Sequence, residues 1–371
     1  MIRWGISGKV IMMKFAVIGC GAISKQHIAA ALNTGLEIVA LCDIVDTGIP
    51  ALLEMIPEAQ RERVKVYRDY KDMLPEQRPD LVAIATGSGV KTRIALDCIG
   101  VGANLIIEKP IALSLADADA IIAAAKERNV KVCVCHQNRL NPAVQAIKAA
   151  VDAGRFGRML HGSARVYWNR DKAYYDAAKW RGTWRSDGGT LMNQCIHNID
   201  ILRWLMGGEV AQVFAYTDRQ THGYIEAEDI GLALVKFKNG AYGVIEGTVN
   251  VYPRNLEETL TLLGETGTVR AGGKSLNVIE EWKFADADDS GAVKGQFAEN
   301  PAPVVGLGHT RVYRDVIDAI ENDRVPAISA EDGRSAIELI LAIYDSAATG
   351  KPVDLPLSGG ATIDYVGRFD Q

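Results

Sequence analysis

The sequence predicts an α/β protein of two domains, a doubly wound parallel sheet followed by an α+β domain with a mostly antiparallel sheet. Short apolar runs alternate with helix-type patterns as far as Cys135, which is typical of βαβ units. After Pro142, strand-type runs follow one another with few helices between them. A length of 371 residues also corresponds to two domains at roughly 150 residues each. We expect the domains to span residues 12–137 and 138–371.

Strands of the first domain are indicated by short, continuous apolar runs, which are typical of strands buried on both faces. They are Lys14 to Ile18, Glu37 to Cys42, Asp80 to Ala85, Asn104 to Ile107 and Val130 to Cys135. Apolar residues at helical spacing predict the helices between them, which are Ile23 to Leu32, Lys91 to Ile99 and Leu115 to Arg128.

The second domain begins with a helix that Pro142 initiates and that runs to Ala153. Its predicted strands are Met159 to Trp168, Val210 to Tyr216, Ile230 to Lys238, Ala241 to Val249 and Leu260 to Leu263. Asn239-Gly240 predicts a tight hairpin between two of these strands. Further helices are predicted at Thr190 to Leu205, His309 to Glu321 and Asp332 to Ala348. Residues 285–308 lack periodicity, so we expect a long surface loop there.

Composition excludes several classes of protein. A chain that is 48% hydrophobic and 23% charged does not resemble a disordered protein. The net charge of -5 and the absence of a basic run argue against a nucleic acid as the main partner. No window approaches the ~20 consecutive apolar residues of a membrane span. The six cysteines lie mostly in apolar runs, which favours reduced core thiols and a cytoplasmic location.

The first residues of the chain carry no targeting signal that we can identify. Met1 to Met13 lacks the long apolar run and the cleavage site of a signal peptide. Met12 or Met13 opens the first strand more naturally than Met1. Residues 1–12 are therefore a candidate for an added or mis-started segment.

A glycine-rich turn, Gly19-Cys20-Gly21-Ala22-Ile23-Ser24, joins the first predicted strand to the first helix. Gly19 permits a tight turn, Gly21 lets the backbone approach a pyrophosphate, and the helix N-terminus favours the negative charge. Ser24 stands where a third glycine is usual and is small enough for close packing. With a strand before it and a helix after it, the turn predicts a dinucleotide site rather than a purely structural glycine turn.

Asp43, at the end of the second predicted strand, is expected to accept hydrogen bonds from the adenosine ribose hydroxyls. The next residues, Ile44-Val45-Asp46, offer no Arg or Lys to neutralise a 2′-phosphate. The cofactor is therefore predicted to be NAD rather than NADP. Thr86-Gly87-Ser88-Gly89 follows a later strand and is expected to face the cofactor from the same edge of the sheet.

Two further segments carry residues suited to acid–base chemistry. Lys109, in Glu108-Lys109-Pro110, leaves an apolar strand, so partial desolvation would make it a usable acid, base or carbonyl polariser. In the helix Thr190 to Leu205, Asn193 and His197 are four residues apart and share a face, and Asp200 is a neighbour of His197, three residues away. A solvated loop lysine and a core histidine are the structural alternatives.

Aromatic and basic residues cluster just before this helix, in Tyr167-Trp168-Asn169-Arg170, Tyr174-Tyr175 and Lys179-Trp180-Arg181-Gly182-Thr183-Trp184. Aromatic faces stack on sugar rings and Arg pairs with anions, although a folded surface segment is an equal alternative for any single residue. The remaining histidines lie too far apart in sequence to indicate a metal site, so no metal is predicted.

Taken together, the Gly19-x-Gly21 turn, Glu108-Lys109-Pro110 and the Gly188-Gly189…His197…Asp200…Trp204 block resemble the Gfo/Idh/MocA oxidoreductase family. The resemblance runs from about Lys14 to about Gly350. It implies an N-terminal Rossmann domain and a C-terminal domain with a large open sheet that supports oligomerisation, giving a homodimer or homotetramer. It also implies a cis Lys109–Pro110 bond, and it places Lys109 and His197 at the nicotinamide.

A closer resemblance is to the branch of UDP-N-acetylglucosaminuronate 3-dehydrogenases and related glycoside 3-dehydrogenases. It rests on Gln137-Asn138-Arg139-Leu140-Asn141-Pro142, the aromatic segments and Met192-Asn193-Gln194 with His197. Family members commonly carry a carboxylate where this chain has Asn193, but an Asn there is usual in this branch. They also often carry Pro and His where this chain has Gly87 and Lys91.

The residues that the resemblance implies fall into three groups. The catalytic group is Lys109, His197 and Asn193. The cofactor-binding group is Gly19, Gly21, Ala22, Ile23, Ser24, Asp43, Thr86, Gly87, Ser88, Glu108, Lys109 and Gln137. The substrate-binding group is Arg139, Tyr174, Trp180, Arg181, Asn193 and His197.

The expected reaction is the reversible, NAD-dependent oxidation of a secondary hydroxyl of a glycoside or nucleotide sugar, at C3 of a pyranose by resemblance. His197 is the preferred base and Lys109 the group that stabilises the oxyanion, although the two roles could be exchanged. One alternative is a glycosidase that oxidises C3 transiently to allow elimination. Another is a non-enzymatic NAD-responsive regulator, against which the intact Lys109 and His197 argue.

Overall fold

The computed structural model describes residues 12–301 and 307–370, so the proposed added segment lies almost entirely outside the described residues. The chain folds as two compact units. The first unit contains the described residues up to Ala112, Ala116–Gln137 and a later segment that ends at Arg334. The second contains Leu113–Leu115, the described residues from Asn138 onward and Ser335–Gln371 up to the last described residue. None of the helices within the described residues combines the length and the hydropathy that crossing a membrane requires.

The first unit is built on a six-stranded sheet in the order β3-β2-β1-β4-β5-β6, and every pair of neighbours is parallel. Its strands are β1 Lys14–Ile18, β2 Glu37–Cys42, β3 Lys65–Tyr67, β4 Leu81–Ile84, β5 Asn104–Ile107 and β6 Val132–Val134. This is the doubly wound order in which ligands bind beyond the carboxyl ends of the strands, so the predicted fold is confirmed. The sequence analysis missed β3, which has three residues and no buried run.

The helices of the first unit follow its strands. They are α1 Ser24–Asn33, α2 Ile49–Met55, α3 Glu58–Arg61, α4 Tyr70–Gln77, α5 Lys91–Gly100 and α6 Leu115–Arg128. The later segment adds Leu307–Glu321, which is α11 in chain order and packs against α1. Buried aromatic contacts fix this helix on the sheet, since the rings of Phe15 and Tyr313 meet edge to face at 5.5 Å.

The second unit is built on an eight-stranded sheet in the order β13-β12-β11-β7-β10-β9-β8-β14. Its strands are β7 Met159–Tyr167, β8 Val210–Asp218, β9 Ile230–Phe237, β10 Tyr242–Thr248, β11 Glu257–Gly264, β12 Gly267–Gly272, β13 Val278–Phe284 and β14 Val353–Asp354. Only β7 and β10 pair in parallel, so the predicted, mostly antiparallel α+β domain is confirmed. The last three strands were not predicted.

The helices of the second unit include one irregular segment. They are α7 Pro142–Asp152, α8 Lys172–Asp176, a π-helix Leu191–Cys195 that continues into α9 Ile196–Leu205, α10 Ser290–Gln296 and α12 Ala330–Thr349. The prediction of a long loop at 285–308 was wrong for α10, which packs on β13. The side chain of Asp289, which precedes α10, accepts a hydrogen bond from Trp282 Nε1 at 2.9 Å, and such a long-range anchor leaves no periodic pattern.

One face of the second sheet receives the π-helix and α9 at close range. A Cβ atom at Gly231 would lie 2.6 Å from Leu191, and one at Gly162 would lie 2.7 Å from Leu202, so glycine makes room for this packing. On the other face, side chains such as Leu234 are exposed, because residues alternate between the two faces along β9. The second sheet is therefore covered on one side and open on the other among the described residues.

Candidate functional site

The glycine turn leads from β1 directly into α1. Gly19 has a φ of +93°, and a Cβ there would lie 2.7 Å from the backbone of Ala85, so only glycine fits. A Cβ at Gly21 would meet nothing within 4 Å, which leaves the backbone open to a ligand. The Ser24 hydroxyl donates to the Gly19 carbonyl at 2.5 Å and closes the turn. With Ala22 and Ile23 these residues lead into the N-terminus of α1, and free backbone N–H groups at a helix N-terminus are suited to bind an anion.

Asp43 follows β2 and ties that strand to the turn. Its Oδ2 accepts a hydrogen bond from the Cys20 N–H at 2.6 Å, and its Oδ1 accepts one from the Val45 N–H at 3.0 Å. A pocket of about 360 Å³ opens beside it, lined by Gly21, Ala22 and Asp43 among others. The glycine turn leaves space at Gly21, and the carboxylate of Asp43 is half-buried beside it. This arrangement fits a dinucleotide whose ribose lies beside Asp43.

One cation near Asp43 escaped the sequence analysis. Arg68 follows β3, donates to the Ile44 carbonyl at 2.7 Å and pairs with Asp46. The sequence gives no signal for this contact, because it depends on the pairing of the three-residue strand β3. Since Asp46 already pairs with Arg68, the cation does not remove the acidic character that Asp43 gives to the ribose site.

Two loops after β4 and β5 lie at the carboxyl edge of the first sheet. Thr86 and Gly87 follow β4, and Ser88 begins a short 3₁₀ turn, Ser88–Val90. Glu108 and Lys109 follow β5, and the Lys109–Pro110 bond is cis as the resemblance implied. Gln137 begins a 3₁₀ turn, Gln137–Leu140, soon after β6. The predicted cofactor residues of the first unit thus follow the ends of its strands.

The side chain of Glu108 lies in a buried cluster within the first unit. Glu108 Oε1 lies 3.2 Å from His27 Nε2 and 3.3 Å from His309 Nε2, and His27 Nδ1 lies 2.8 Å from the Tyr313 hydroxyl. Burial alone raises the pKa of Glu108, but hydrogen bonds from His27 and His309 hold it well below its usual value. Burial lowers the pKa of His27. Glu108 therefore acts as a buried anion that accepts hydrogen bonds from two imidazole rings.

This cluster brings together histidines that the sequence analysis judged too far apart to share a site. The ligand-type atoms of His27, Glu108 and His309 all lie within 4.8 Å of one another. The 3.2 and 3.3 Å separations are hydrogen-bond distances, so the carboxylate is satisfied by N–H groups of the protein. The absence of a metal site stays a prediction.

In the second unit, the helix start that carries Asn193 is held by buried acids. Asn193 Nδ2 donates to Asp187 Oδ1, and Asp187 Oδ2 accepts from the Gly182 N–H at 2.7 Å. Sequence reasoning did not identify this partner of Asn193, because it lies six residues away and outside the helix. The π-helix widens the turn around Asn193, a feature that is frequent at functional sites. His197 follows in the first turn of α9 and is half-buried.

Glu228 lies fully buried under the glycines of this helix start. Its Oε1 accepts from the Leu191 N–H at 2.8 Å and from the Tyr344 hydroxyl at 2.7 Å. A Cβ at Gly189 would lie 1.9 Å from Glu228 Oε2, so glycine is required there. Burial raises the pKa of Glu228 to about 8, although these two hydrogen bonds oppose the rise.

Arg139, which the resemblance assigned to substrate binding, pairs inside the protein. Its Nε and Nη2 donate to the two carboxylate oxygens of Asp200 at 2.6 Å each, and its side chain is 1% exposed. Its guanidinium also lies 4.9 Å from the centre of the Trp204 ring. This buried, two-pronged ion pair anchors Arg139 to Asp200 on α9.

Three of the other predicted substrate residues, Tyr174, Trp180 and Arg181, lie close together. The Arg181 guanidinium lies 4.1 Å from the Tyr174 ring centre and donates to the Tyr174 carbonyl at 2.6 Å. Arg170 lies 5.1 Å from the same ring and donates to Gln194 at 3.1 Å. Gln194 in turn donates to the Tyr174 hydroxyl at 2.8 Å, and Trp180 is 36% exposed beside Arg181. This aromatic and cationic wall is suited to a sugar that carries negative charge.

Comparison with known proteins covers both units. Residues 13–136 match the family model described as "Oxidoreductase family, NAD-binding Rossmann fold". Residues 148–355 match the model described as "Oxidoreductase family, C-terminal alpha/beta domain" of the same Gfo/Idh/MocA set. Together the two matches cover most of the chain. The first ends at residue 136, just after β6, and the second begins at residue 148.

Individual relatives resemble the chain over almost its whole length. The WlbA dehydrogenase of Bordetella pertussis, in complex with NADH and UDP-GlcNAcA, is 38% identical with a TM-score of 0.84, covering 94% of this chain and 99% of that chain. The WlbA dehydrogenase of Chromobacterium violaceum, in complex with the same two compounds, is 35% identical with a TM-score of 0.81, covering 94% and 97%. The D-apiose dehydrogenase of Paraburkholderia graminis is 28% identical, covering 92% of this chain and 89% of its own.

Proposed function

The chain belongs to the Gfo/Idh/MocA oxidoreductase family, and we propose that it oxidises the C3 hydroxyl of a pyranose in a nucleotide sugar, reversibly. It is an NAD-dependent enzyme of the sugar dehydrogenase family that acts on a CH–OH group. The single observation that carries the finer proposal is the 38% identity, over nearly the whole chain, to a dehydrogenase crystallised with NADH and UDP-GlcNAcA. The resemblance to the 3-dehydrogenase branch supports C3 as the position.

NAD+ supplies the hydride acceptor when it is bound. We assign its pyrophosphate to the turn of Gly19, Gly21, Ala22, Ile23 and Ser24, and its adenosine ribose to Asp43. The other cofactor contacts are assigned to Thr86, Gly87, Ser88, Lys109 and Gln137. For Glu108 we assign an indirect role, because its carboxylate is occupied by His27 and His309.

The acid–base roles are assigned to Lys109, His197 and Asn193. His197 accepts the proton of the reacting hydroxyl, and Lys109 stabilises the negative charge that develops on the same oxygen. Asn193, fixed through Asp187, orients that oxygen. Groups that are held in place before the substrate binds contribute most to catalysis, and the buried contacts of Glu108 and of Asp187 support such preorganisation within each unit.

The wall of Arg170, Tyr174, Trp180 and Arg181 supports the proposed substrate class. Two guanidinium groups lie against one aromatic ring, and such cations pair with a uronate carboxylate or a diphosphate. This supports an anionic nucleotide sugar such as UDP-GlcNAcA over a neutral free sugar. Arg139 is not part of this wall.

At the level of the whole chain, we propose that residues 12–137 carry cofactor binding and that residues 138–371 carry substrate binding and self-association. On the open sheet face, Leu234 is 60% exposed and Tyr216 is 69% exposed. Exposed apolar side chains of this kind mark an interaction surface, which supports a homodimer or homotetramer formed through this face. All six cysteines are buried, as expected for reduced core thiols, which supports a reducing, cytoplasmic location.

The test is an assay of NADH formation with UDP-GlcNAcA, UDP-GlcNAc and free sugars. Lys109→Met is expected to lower turnover by ~100-fold or more while NADH binding survives, because an acid–base or electrostatic group contributes about that much. Lys126→Met, on the exposed side of α6, is the matched control and is expected to keep full activity. Full activity of Lys109→Met, or release of the sugar without net NADH, would contradict the proposal and the latter would favour the glycosidase.

A further inference from the structure

Lys91, the first residue of α5, has its side chain buried inside the first unit. It is 1% exposed, whereas lysine side chains are almost never fully buried unless they are paired. Its Nζ donates to three consecutive backbone carbonyls, those of Glu108 at 2.7 Å, Lys109 at 2.9 Å and Pro110 at 3.1 Å. It also lies 3.4 Å from Ser88 Oγ. One ammonium thus holds the whole turn that carries Lys109.

Burying an ammonium costs free energy of folding, so a turn with a purely structural role would be built more favourably without it. Taking an ammonium out of water carries a penalty of several kcal/mol, which good hydrogen bonds must offset. An ammonium has three donors, and here three carbonyl oxygens converge on it at charge-assisted distances. The contacts therefore restrain three successive peptide groups at once, which a single neutral donor could not do.

The same turn is held from its other side through a side chain. Glu108 Oε1 accepts from His27 and His309, so Glu108 is anchored by its carboxylate while its carbonyl is bound by Lys91. The two sets of contacts fix the residues on both sides of the Lys109 Cα. The direction in which the Lys109 side chain leaves the sheet is set by the peptide groups that they hold.

We propose that Lys91 is a positioning residue for the reaction: its ammonium clamps the carbonyls of residues 108–110 and so aims the side chain of Lys109. This inference rests on the proposed role of Lys109. It assigns the orientation of Lys109 to a residue whose own side chain is buried. A shift of about 1 Å in a reacting group can cost about 100-fold in rate, so loss of the clamp is expected to act on turnover.

The first experiment compares Lys91→Met with Lys131→Met in the full-length enzyme. Lys131 is also a mostly buried lysine of the first unit, but its Nζ pairs with Asp323 at 2.6 Å, at the amino end of the first sheet. Lys91→Met is expected to lower kcat by ~30–100-fold, with KM for the sugar and Kd for NADH changed by less than about threefold. Lys131→Met is expected to keep kcat. A kcat for Lys91→Met within twofold of the wild-type value would overturn the proposal.

A double-mutant cycle separates action through Lys109 from general damage. If Lys91 acts through Lys109, adding Lys91→Met to Lys109→Met is expected to cost less than about threefold further. Losses that multiply would show that Lys91 acts elsewhere and would reject the positioning role. If Lys109→Met itself keeps full activity, the proposed role of Lys109 fails and this inference fails with it. If Lys109→Met loses activity and Lys91→Met does not, only this inference fails.

Lys91→Arg keeps the positive charge and provides the test if Lys91→Met does not fold. A guanidinium cannot direct three donors from a single nitrogen to three carbonyls, so partial activity, about a tenth of wild type, is expected. In the Lys109→Met background, Lys91→Arg is expected to cause no further loss of turnover. A further loss of about tenfold in turnover there would reject the proposal, as multiplying losses would for Lys91→Met.

Discussion

Asp200 shows how a residue near the proposed base can serve the fold instead of the chemistry. It is fully buried and accepts both donors of Arg139. Replacing Asp200 by Asn leaves a buried guanidinium without its counter-charge, so we expect a loss of about 3–5 kcal/mol in the free energy of unfolding. Urea denaturation measures it.

The control for this prediction is an exposed ion pair. Lys148 and Asp152 pair at i,i+4 on α7 with the carboxylate 59% exposed. Asp152→Asn is expected to change the free energy of unfolding by less than about 1 kcal/mol, because exposed pairs contribute little. Equal losses for the two variants would mean that burial does not set the strength of the Arg139–Asp200 pair.

Glu228 predicts a pH dependence of stability. Its pKa rises from 4.5 to about 8 on folding, so the folded protein keeps a proton there that the unfolded chain releases. Stability from this group therefore falls as pH rises from about 4.5 to about 8. Glu228→Gln mimics the protonated acid and cannot titrate, so its melting temperature relative to wild type is expected to increase across that window. A difference that is constant with pH would contradict the assignment.

Residues next to recognisable strand ends could be predicted from sequence, whereas their partners could not. Asp43 and Lys109 each follow an apolar run, and local pattern places them at the edge of the sheet. The partners of Arg139 and Glu108 come from distant segments, and no local spacing shows that His27 and His309 meet on one carboxylate. The sequence predicts Lys91 as a helix start and as a departure from the family pattern, but it does not show which carbonyls Lys91 binds.

At the scale of elements, the helix start at Gly188-Gly189 depends on a missing Cβ. Gly189 has a φ of +98°, and Glu228 fills the space where a side chain would begin. Gly189→Ala is expected to destabilise the protein by about 2–4 kcal/mol, combining a left-handed backbone with a steric clash. Gly35→Ala is the matched control, since Gly35 has a φ of +74° with nothing within 4 Å. It is expected to cost only about 1–2 kcal/mol by urea denaturation.

Equal costs for the two alanine variants would show that the Glu228 contact does not constrain this helix start. The substitution at Gly189 is also expected to affect the proposed active site, because Asn193 lies about one helical turn after Gly189. Gly189→Ala is expected to lower turnover as well, whereas Gly35→Ala is not.

Elements with a continuous apolar run or an amphipathic repeat were predictable, such as β1, β2 and α6. Those that depend on pairing were not. β3 has three residues, β12 carries three glycines or small residues among six, and α10 lacks an apolar stripe. The π-helix was predicted as ordinary helix, because nothing in the spacing of Leu191 and Cys195 distinguishes the two. Tertiary contacts decide these cases.

At the scale of the whole molecule, the open face of the second sheet predicts self-association. Leu234→Glu places a charge among exposed apolar side chains on that face and is expected to shift the protein toward monomer, because charge is unfavourable in the apolar centre of an interface. Sedimentation velocity measures the shift. Val325→Glu is the control, since Val325 is 69% exposed in the first unit. A Leu234→Glu enzyme that sediments like wild type would argue against this face as the interface.

The central claim is that hydride leaves C3 of the sugar for the nicotinamide. The direct measurement uses UDP-GlcNAcA carrying deuterium at C3, with mass spectrometry and NMR of the NADH that forms. We predict one deuterium per NADH at C4 of the nicotinamide, and none when the deuterium is placed at C4 of the sugar. Unlabelled NADH from the C3-labelled substrate, or no NADH at all, would contradict the account.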